Sequence, residues 1–108
     1  MQIRSEVHWA PQAAEDLLEI WAYFAQMASL ELADGLLRDL KRAGERLGEN
    51  PLLWQARDEI RPGIRAAMIT PYAIFYRVKG EGVEIIRVLH SRRDANSILK
   101  RKSAGDNV

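Results

Sequence analysis

Polar and apolar residues alternate from Ile3 to Trp9, with Ile3, Ser5, Val7 and Trp9 on one face and Arg4, Glu6 and His8 on the other. That period of two predicts a short strand with an exposed His8. The period then changes. Ala14, Leu17, Leu18, Trp21, Phe24, Ala25 and Ala28 recur at helical spacing, opposed by Gln12, Glu15, Glu19 and Gln26, which predicts an amphipathic helix. Pro11 suits its first turn, and Glu15 and Asp16 fall early, where negative charge complements the helix dipole. Ser29 can cap a second helix. Its stripe is Ala33, Leu36, Leu37, Leu40, Ala43 and Leu47, facing Glu31, Asp34, Arg38, Asp39, Arg42 and Glu45. Gly35 and Gly44 each cost about 1 kcal/mol relative to alanine in a helix interior. Gly44 lies beside the stripe, where close backbone packing would account for it. Gly48 and Glu49-Asn50-Pro51 end the helix. The short link between the helices makes an antiparallel hairpin with a shared apolar seam.

After the hairpin, Leu52, Leu53 and Trp54 form an apolar knot expected to plug one end of the core, the other reading being an exposed patch for a partner. Three strands follow. Glu59 to Ile69 is interrupted by Pro62-Gly63, which predicts a bend or bulge. In Tyr72 to Lys79, Tyr72, Ile74, Tyr76 and Val78 share one face, and Ala73, Phe75, Arg77 and Lys79 the other. Gly80-Glu81-Gly82 is a hairpin turn signal, and Val83 to His90 is apolar enough to be a central strand. Arg92 to Leu99 reads as a brief helix, ahead of a polar tail. The order strand, helix, helix, strand meander predicts an α+β fold: an N-terminal strand, an antiparallel helical hairpin, then a three-stranded antiparallel meander, with both helices on one face of the sheet. At 108 residues this is one domain, over residues 1–99, with a tail over 100–108.

Composition narrows the chemistry. There is no cysteine, which removes disulfides, thiolate metal sites and cysteine nucleophiles and fits a reducing cytoplasm. No apolar run approaches the ~20 residues of a membrane helix, and the N-terminus carries no apolar signal core. The formal charge of +1 hides an asymmetry: residues 1–56 hold five Lys/Arg against nine Asp/Glu, and residues 57–108 hold eleven against six. The basic half is a footprint for an acidic partner, nucleic acid or protein, or else coats the solvent side of a sheet and tail.

There is no Walker loop, no GxGxxG and no HExxH, and two separated histidines give a metal site little to build on. No cofactor is expected. Acid–base or phosphoryl chemistry would fall to Glu59, Arg61, Arg65, His90, Arg92, Arg93 and Asp94. A strand-end histidine could move a proton while arginines hold phosphate charge. Alternatively, His90 closes the strand with one hydrogen bond and the arginines pair with Glu59 and Asp94.

Those residues carry a resemblance. Val7-His8-Trp9 ahead of Ala13-Ala14-Glu15-Asp16-Leu17 and Ile20-Trp21-Ala22-Tyr23 resembles the opening of ParE-type toxins of the RelE/ParE superfamily. So do Ile60-Arg61-Pro62-Gly63-Ile64-Arg65, Tyr72 to Val78, and Ile85 to Asp94, in the same order and spacing. The resemblance implies the RelE/ParE-like fold and the toxin half of a bacterial type II toxin–antitoxin pair. It further implies a ParD-like antitoxin partner in a hetero-oligomer, no membrane, and two possible targets: DNA gyrase for ParE-type members, the ribosome and its mRNA for RelE-type ones. RelE-type nucleases place a catalytic arginine where this chain has Ala73, and a tyrosine after the strand-end histidine where it has Ser91. Their lysine cluster is absent from 59–69, which holds Arg61 and Arg65 only. Alanine cannot stabilise a phosphorane, so a toxin acting by binding is favoured. The target-binding set expected is Arg61, Arg65, His90, Arg92, Arg93 and Asp94, with Trp21, Tyr23 and Trp54 as antitoxin anchors. The catalytic alternative is an mRNA endonuclease using His90, Arg65 and Arg92. A third reading is an inactive relative.

Overall fold

The computed structural model describes residues 5–92. Strand β1 (Val7–Trp9) leads into helix α1 (Pro11–Met27), helix α2 (Leu30–Arg46), and strands β2 (Arg65–Ile69), β3 (Tyr72–Lys79) and β4 (Gly82–His90). The four strands form one sheet in the order β1-β4-β3-β2. The meander β2-β3-β4 is antiparallel, as its turns require. β1 lies parallel to β4 because the hairpin carries the chain across before it returns, so the sheet is mixed. The α+β reading holds, and the helices lie on one face of the sheet.

Local signals explain the elements. Pro11 opens α1 without a side-chain cap. Ser29 caps α2, its Oγ accepting from the Leu32 N–H at 3.0 Å. Lys79 faces Gly82, with Gly80 at φ 61° in the tight turn between them.

The expected first strand is shorter in the structure. Only Val7–Trp9 pairs fully with β4, while the Ser5 N–H donates to the Gly48 carbonyl; Ile3 and Arg4 lie outside the described residues. The strand expected from Glu59 starts only at Arg65. Residues 57–63 form turns, because Gly63 takes φ 82° and its N–H donates to the Asp58 carboxylate. The helix expected from Arg92 falls almost entirely outside the described residues.

The main core joins Ala13, Leu17, Leu40 and Leu47 of the helical layer to Ala67, Tyr72, Ile74, Tyr76, Val83, Ile85 and Val88 of the sheet. The stripe of α1 is therefore rotated from the expected one. Ala13 and Ile20 turn inward, whereas Ala14, Leu18 and Ala28 face out, because α1 packs against both β4 and α2. The α2 stripe is as read. A second cluster, Ile60, Ile64, Ala66, Ala73, Phe75 and Leu89, covers part of the opposite sheet face. It explains why β3 is buried on both sides from Tyr72 to Tyr76.

One residue extra on β4, between the partners of Phe75 and Tyr76, makes a β-bulge. It keeps the Arg87 side chain out of the core centre and lets Val88 face Ile74. β1 reaches only Ile85, so β4 is an open edge beyond it. Asp16 of α1 closes that edge. Its carboxylate accepts from Arg87 Nε at 2.8 Å, Arg87 Nη2 at 3.0 Å and the Val88 N–H at 2.9 Å. Asp16 is not a helix-dipole residue in the first turn; it is 3% exposed and tied to the sheet.

The two glycines of α2 differ. Gly44 supports the close approach read from its position: a Cβ there would lie 2.4 Å from Trp9 Cζ2 and 2.9 Å from Ile85 Cδ1. At Gly35 a Cβ meets nothing within 4 Å. Gly35→Ala is accordingly expected to raise stability by about 1 kcal/mol, read as a higher urea midpoint with an unchanged slope.

Candidate functional site

The sequence pointed to arginines around the ends of β2 and β4, and the structure divides them. Arg65 starts β2, opposite Tyr76. Its Nη1 donates to the Trp54 carbonyl at 2.5 Å, while the Tyr76 hydroxyl donates to the Pro51 carbonyl at 2.8 Å. Burial pushes the Tyr76 phenol pKa up, opposed by a backbone hydrogen bond with Trp54 and by the Arg65 charge. Arg65 and Tyr76 together pin the loop after α2 to the sheet. Arg65→Ala removes a charge-assisted bond, so a loss of roughly 1.5–3 kcal/mol is expected, with faster amide exchange confined to residues 50–56.

His90 ends β4 opposite Tyr72. Its ring meets Tyr72 edge-on at 5.6 Å, and its Nδ1 accepts from the Arg92 backbone N–H at 3.2 Å. Tyr72 and Tyr76 lie four residues apart on β3, which separates Arg65 from His90 by roughly 13 Å along the sheet. Arg61 is exposed in the turn beside Ile60, and Ile60 shares the second apolar cluster with Leu89. Arg61 thus stands beside the cluster on the face away from the helices, whereas the His90 ring lies against Tyr72 of the main core, with Arg92 two residues on, and Arg65 joins neither. Glu59 pairs with Arg57. Arg93 and Asp94 lie outside the described residues. Among those described, no group of three or more His, Asp or Glu is arranged to hold a metal ion, and no helix is long and apolar enough to cross a membrane.

The expected antitoxin anchors are also dispersed. The Trp21 indole N–H donates to Asp34 at 2.8 Å, joining α1 to α2. Tyr23 is exposed and meets Phe24 edge-on at 5.1 Å. Trp54 packs on the main core. The apolar knot does not plug the core as a unit: Leu52 and Leu53 are each 65% exposed, leaving Trp54 alone to close it. Backbone tethering of this loop through Pro51 and Trp54 is what turns the two leucines outward.

A groove of about 490 Å³, which sequence reasoning missed, runs between the helices, lined by Trp9, Ala14, Leu17, Leu18, Leu37, Lys41 and Glu45. The Trp9 indole donates to Glu45 at 2.8 Å at one end, and the Trp21–Asp34 bond stands toward the other. Its signal was present: both Leu17 and Leu18 were read as buried, which one helix face cannot accommodate against a single neighbour. A second hollow, of about 270 Å³, lies at the sheet's other end among Glu6, His8, Lys79 and Glu84. There Arg77 binds Glu84 at 2.7 Å and holds its carboxyl below the ordinary range.

A helical hairpin laid over a mixed four-stranded sheet is the architecture of small toxins of the RelE/ParE type. The chain superposes on a chain of the chromosomal ParDE toxin–antitoxin system from P. aeruginosa with a TM-score of 0.73 at 24% identity, covering 81% of this chain and 96% of that one. It superposes on a chain of the RelBE2 toxin–antitoxin complex of Mycobacterium tuberculosis with a TM-score of 0.61 at 20% identity, covering 83% and 94%. Residues 7–95 match the family of ParE toxins of type II toxin–antitoxin systems. Toxin ParE1 of M. tuberculosis is 40% identical over 91 residues, covering 83% of this chain and 93% of the relative. Toxin ParE1 of Caulobacter vibrioides is 38% identical over 88 residues, covering 82% and 91%. The protein belongs to the ParE toxin family.

Proposed function

We propose that this ParE-type toxin arrests growth in the cytoplasm by binding DNA gyrase, without catalytic chemistry of its own, and that a ParD-like antitoxin neutralises it. The observation that carries the choice of binding over RNA cleavage is the engagement of Arg65. A nuclease built on His90 would need that guanidinium for phosphate charge. It is bonded instead to the Trp54 carbonyl, at the far end of β2. The buried Ala73 on the neighbouring strand supports the same reading.

Arg61, His90 and Arg92, together with Arg93 and Asp94, are the target-facing groups of this proposal, while Arg65 holds the fold at the far end of β2. Antitoxin binding is supported by the complexes of the structural neighbours and by the apolar surface this chain exposes, with Leu18, Leu30, Leu52 and Leu53 each more than half accessible and Tyr23 exposed beside them in the chain. Trp21, Tyr23 and Trp54 serve as anchors of that contact, in a toxin–antitoxin hetero-oligomer.

The test is induced expression without antitoxin, followed by supercoiling and cleavage assays of gyrase with the purified protein. Inhibited supercoiling or trapped DNA breaks, with transcripts intact, is the expected result. Arg61→Ala combined with Arg92→Ala is expected to weaken inhibition at least ten-fold in a folded protein. Halted growth with active gyrase and cleaved transcripts would move the target to the ribosome and the chemistry to His90. Unimpaired growth would mark an inactive relative.

A further inference from the structure

Among the described residues one charged side chain is buried, that of Asp16, and it has no part in the proposed target contact. A buried ion pair is a poor source of stability, because apolar residues packed in its place often do as well. What such a pair can do is choose between two packings that apolar contacts alone leave close in energy. Strand β4 offers that choice. From Gly82 to Ile85 its register follows from the tight turn at Gly80, and β1 covers its other edge as far as Ile85. Beyond the bulge the pairs are Arg87 with Phe75, Val88 with Ile74, Leu89 with Ala73 and His90 with Tyr72. Without the extra residue the strand would slip by one, placing Arg87 opposite Ile74, Val88 opposite Ala73, Leu89 opposite Tyr72 and His90 opposite Pro71.

Apolar burial does not separate the two registers. In the observed one Val88 joins the main core and Leu89 the cluster on the opposite sheet face, and the slip merely exchanges these adjacent apolar residues. Arg87 separates them. The slip would set its guanidinium against Ile74, which is 0% exposed. The bulge instead lets it reach Asp16, and the same carboxylate takes the Val88 N–H at 2.9 Å, on the edge that β1 leaves open. The choice decides what the strand end presents. In the bulged register the His90 ring lies edge-on to Tyr72, its Nδ1 accepts from the Arg92 N–H, and the Ser91 N–H donates to the Pro71 carbonyl at 2.8 Å. A slip of one residue turns His90 to the opposite face of the sheet and carries Arg92 with it.

We propose that Asp16 and Arg87 form a register lock, a pair of positioning residues that holds β4 in its bulged pairing and so presents His90 and Arg92 to the target. Its consequence for activity rests on the gyrase-binding reading above, whereas the lock itself rests on the strand geometry. The bulge re-aims the strand end, as bulges beside functional sites do. The ion pair makes that aim unique, because it forms in one register and leaves a buried, unpartnered charge in the other.

Two variants of the full chain test it. Asp16→Leu combined with Arg87→Met removes both the pair and the charge that forbids the slip, since a methionine can lie against Ile74. Arg87→Lys keeps a cation for Asp16. The register is read by NMR on isotopically labelled protein, from the nuclear Overhauser contact between the His90 and Tyr72 rings and the number of His90 ring signals. Activity is read by inhibition of gyrase supercoiling. The unaltered protein and Arg87→Lys are expected to show one set of His90 signals with the Tyr72 contact, and inhibition within about three-fold of each other. The double variant is expected to unfold cooperatively by circular dichroism, to show a second set of His90 signals lacking that contact, and to inhibit at least ten-fold more weakly. A single set of signals with the full Tyr72 contact in the double variant would overturn the lock. So would a double variant that does not fold, since the pair would then carry the fold and not the register. Loss of the contact with inhibition unchanged would sever the lock from the target. An unaltered protein that leaves gyrase active would overturn the gyrase reading, with the lock still decided by the His90 signals.

Discussion

Asp16→Ala is expected to destabilise the protein by about 3–5 kcal/mol, enough to leave a domain of ordinary stability largely unfolded at 37 °C. The size follows from what the carboxylate does. It is 3% exposed and accepts three hydrogen bonds, two from the Arg87 guanidinium and one from the backbone of Val88. Truncation leaves a guanidinium whose side chain is only 12% exposed without its counter-charge, and strips the acceptor from the strand edge. Urea denaturation followed by circular dichroism measures the loss. Asp16→Leu combined with Arg87→Met is expected to cost clearly less than Asp16→Ala, because a buried pair replaced by packed apolar groups leaves no orphaned charge. Equal losses in the two variants would show that the Val88 bond and local packing, not the ion pair, set the stability.

Gly44→Ala is expected to lose about 1–3 kcal/mol, the cost of overpacking a filled core. It comes with opposite sign to the gain expected from the same change at Gly35, nine residues earlier in α2. The added Cβ would sit 2.4 Å from one indole carbon of Trp9 and 2.5 Å from another. Trp9 cannot yield freely, because its N–H is bonded to Glu45 and Ile85 stands behind the site. The helix propensity gained by removing a glycine, about 1 kcal/mol, offsets only part of this. Thermal unfolding of the two variants side by side checks the prediction. A Gly44→Ala protein as stable as the Gly35→Ala one would mean that β1 and α2 separate at little cost, and that the groove's indole end is not rigid.

The candidate site was legible in part. His8 reads as exposed and is, and the strand carrying Tyr72 to Lys79 is found where its alternation puts it. The arginines could be named from sequence but not grouped. Arg61 and Arg65 are close in the chain, yet the turn at Gly63 sends one to the patch beside Ile60 and the other to the Trp54 carbonyl. The Asp16–Arg87 pair had a signal that periodicity alone does not interpret. Each is a charge on the apolar side of an otherwise apolar segment, and two such residues 71 positions apart become partners only once α1 lies along the β4 edge. The hairpin groove was hidden for a related reason. Leu17 and Leu18 both fall in one stripe, but adjacent helix positions point about 100° apart, so Leu17 is buried in the core at the groove's base while Leu18 stays exposed on its wall.

What the sequence determined by itself were the features whose causes are local. Period two and period 3.6 set the strands and helices, Ser29 and Pro11 set helix starts, and the Gly80 turn joined β3 to β4. Their order, with the resemblance in their motifs, was enough for the family. The tertiary structure alone decided what depends on contacts between distant segments. These are the parallel seat of β1 on β4, the bulge that turns Arg87 to Asp16, and the tether that exposes Leu52 and Leu53. Added to them is the groove between the helices, with the Trp21–Asp34 bond joining α1 to α2 and Trp9 of β1 seated on Gly44 and bonded to Glu45 at one end. A residue's neighbours along the chain fix its conformation, whereas its charge partners and exposure are fixed by elements the chain brings back beside it.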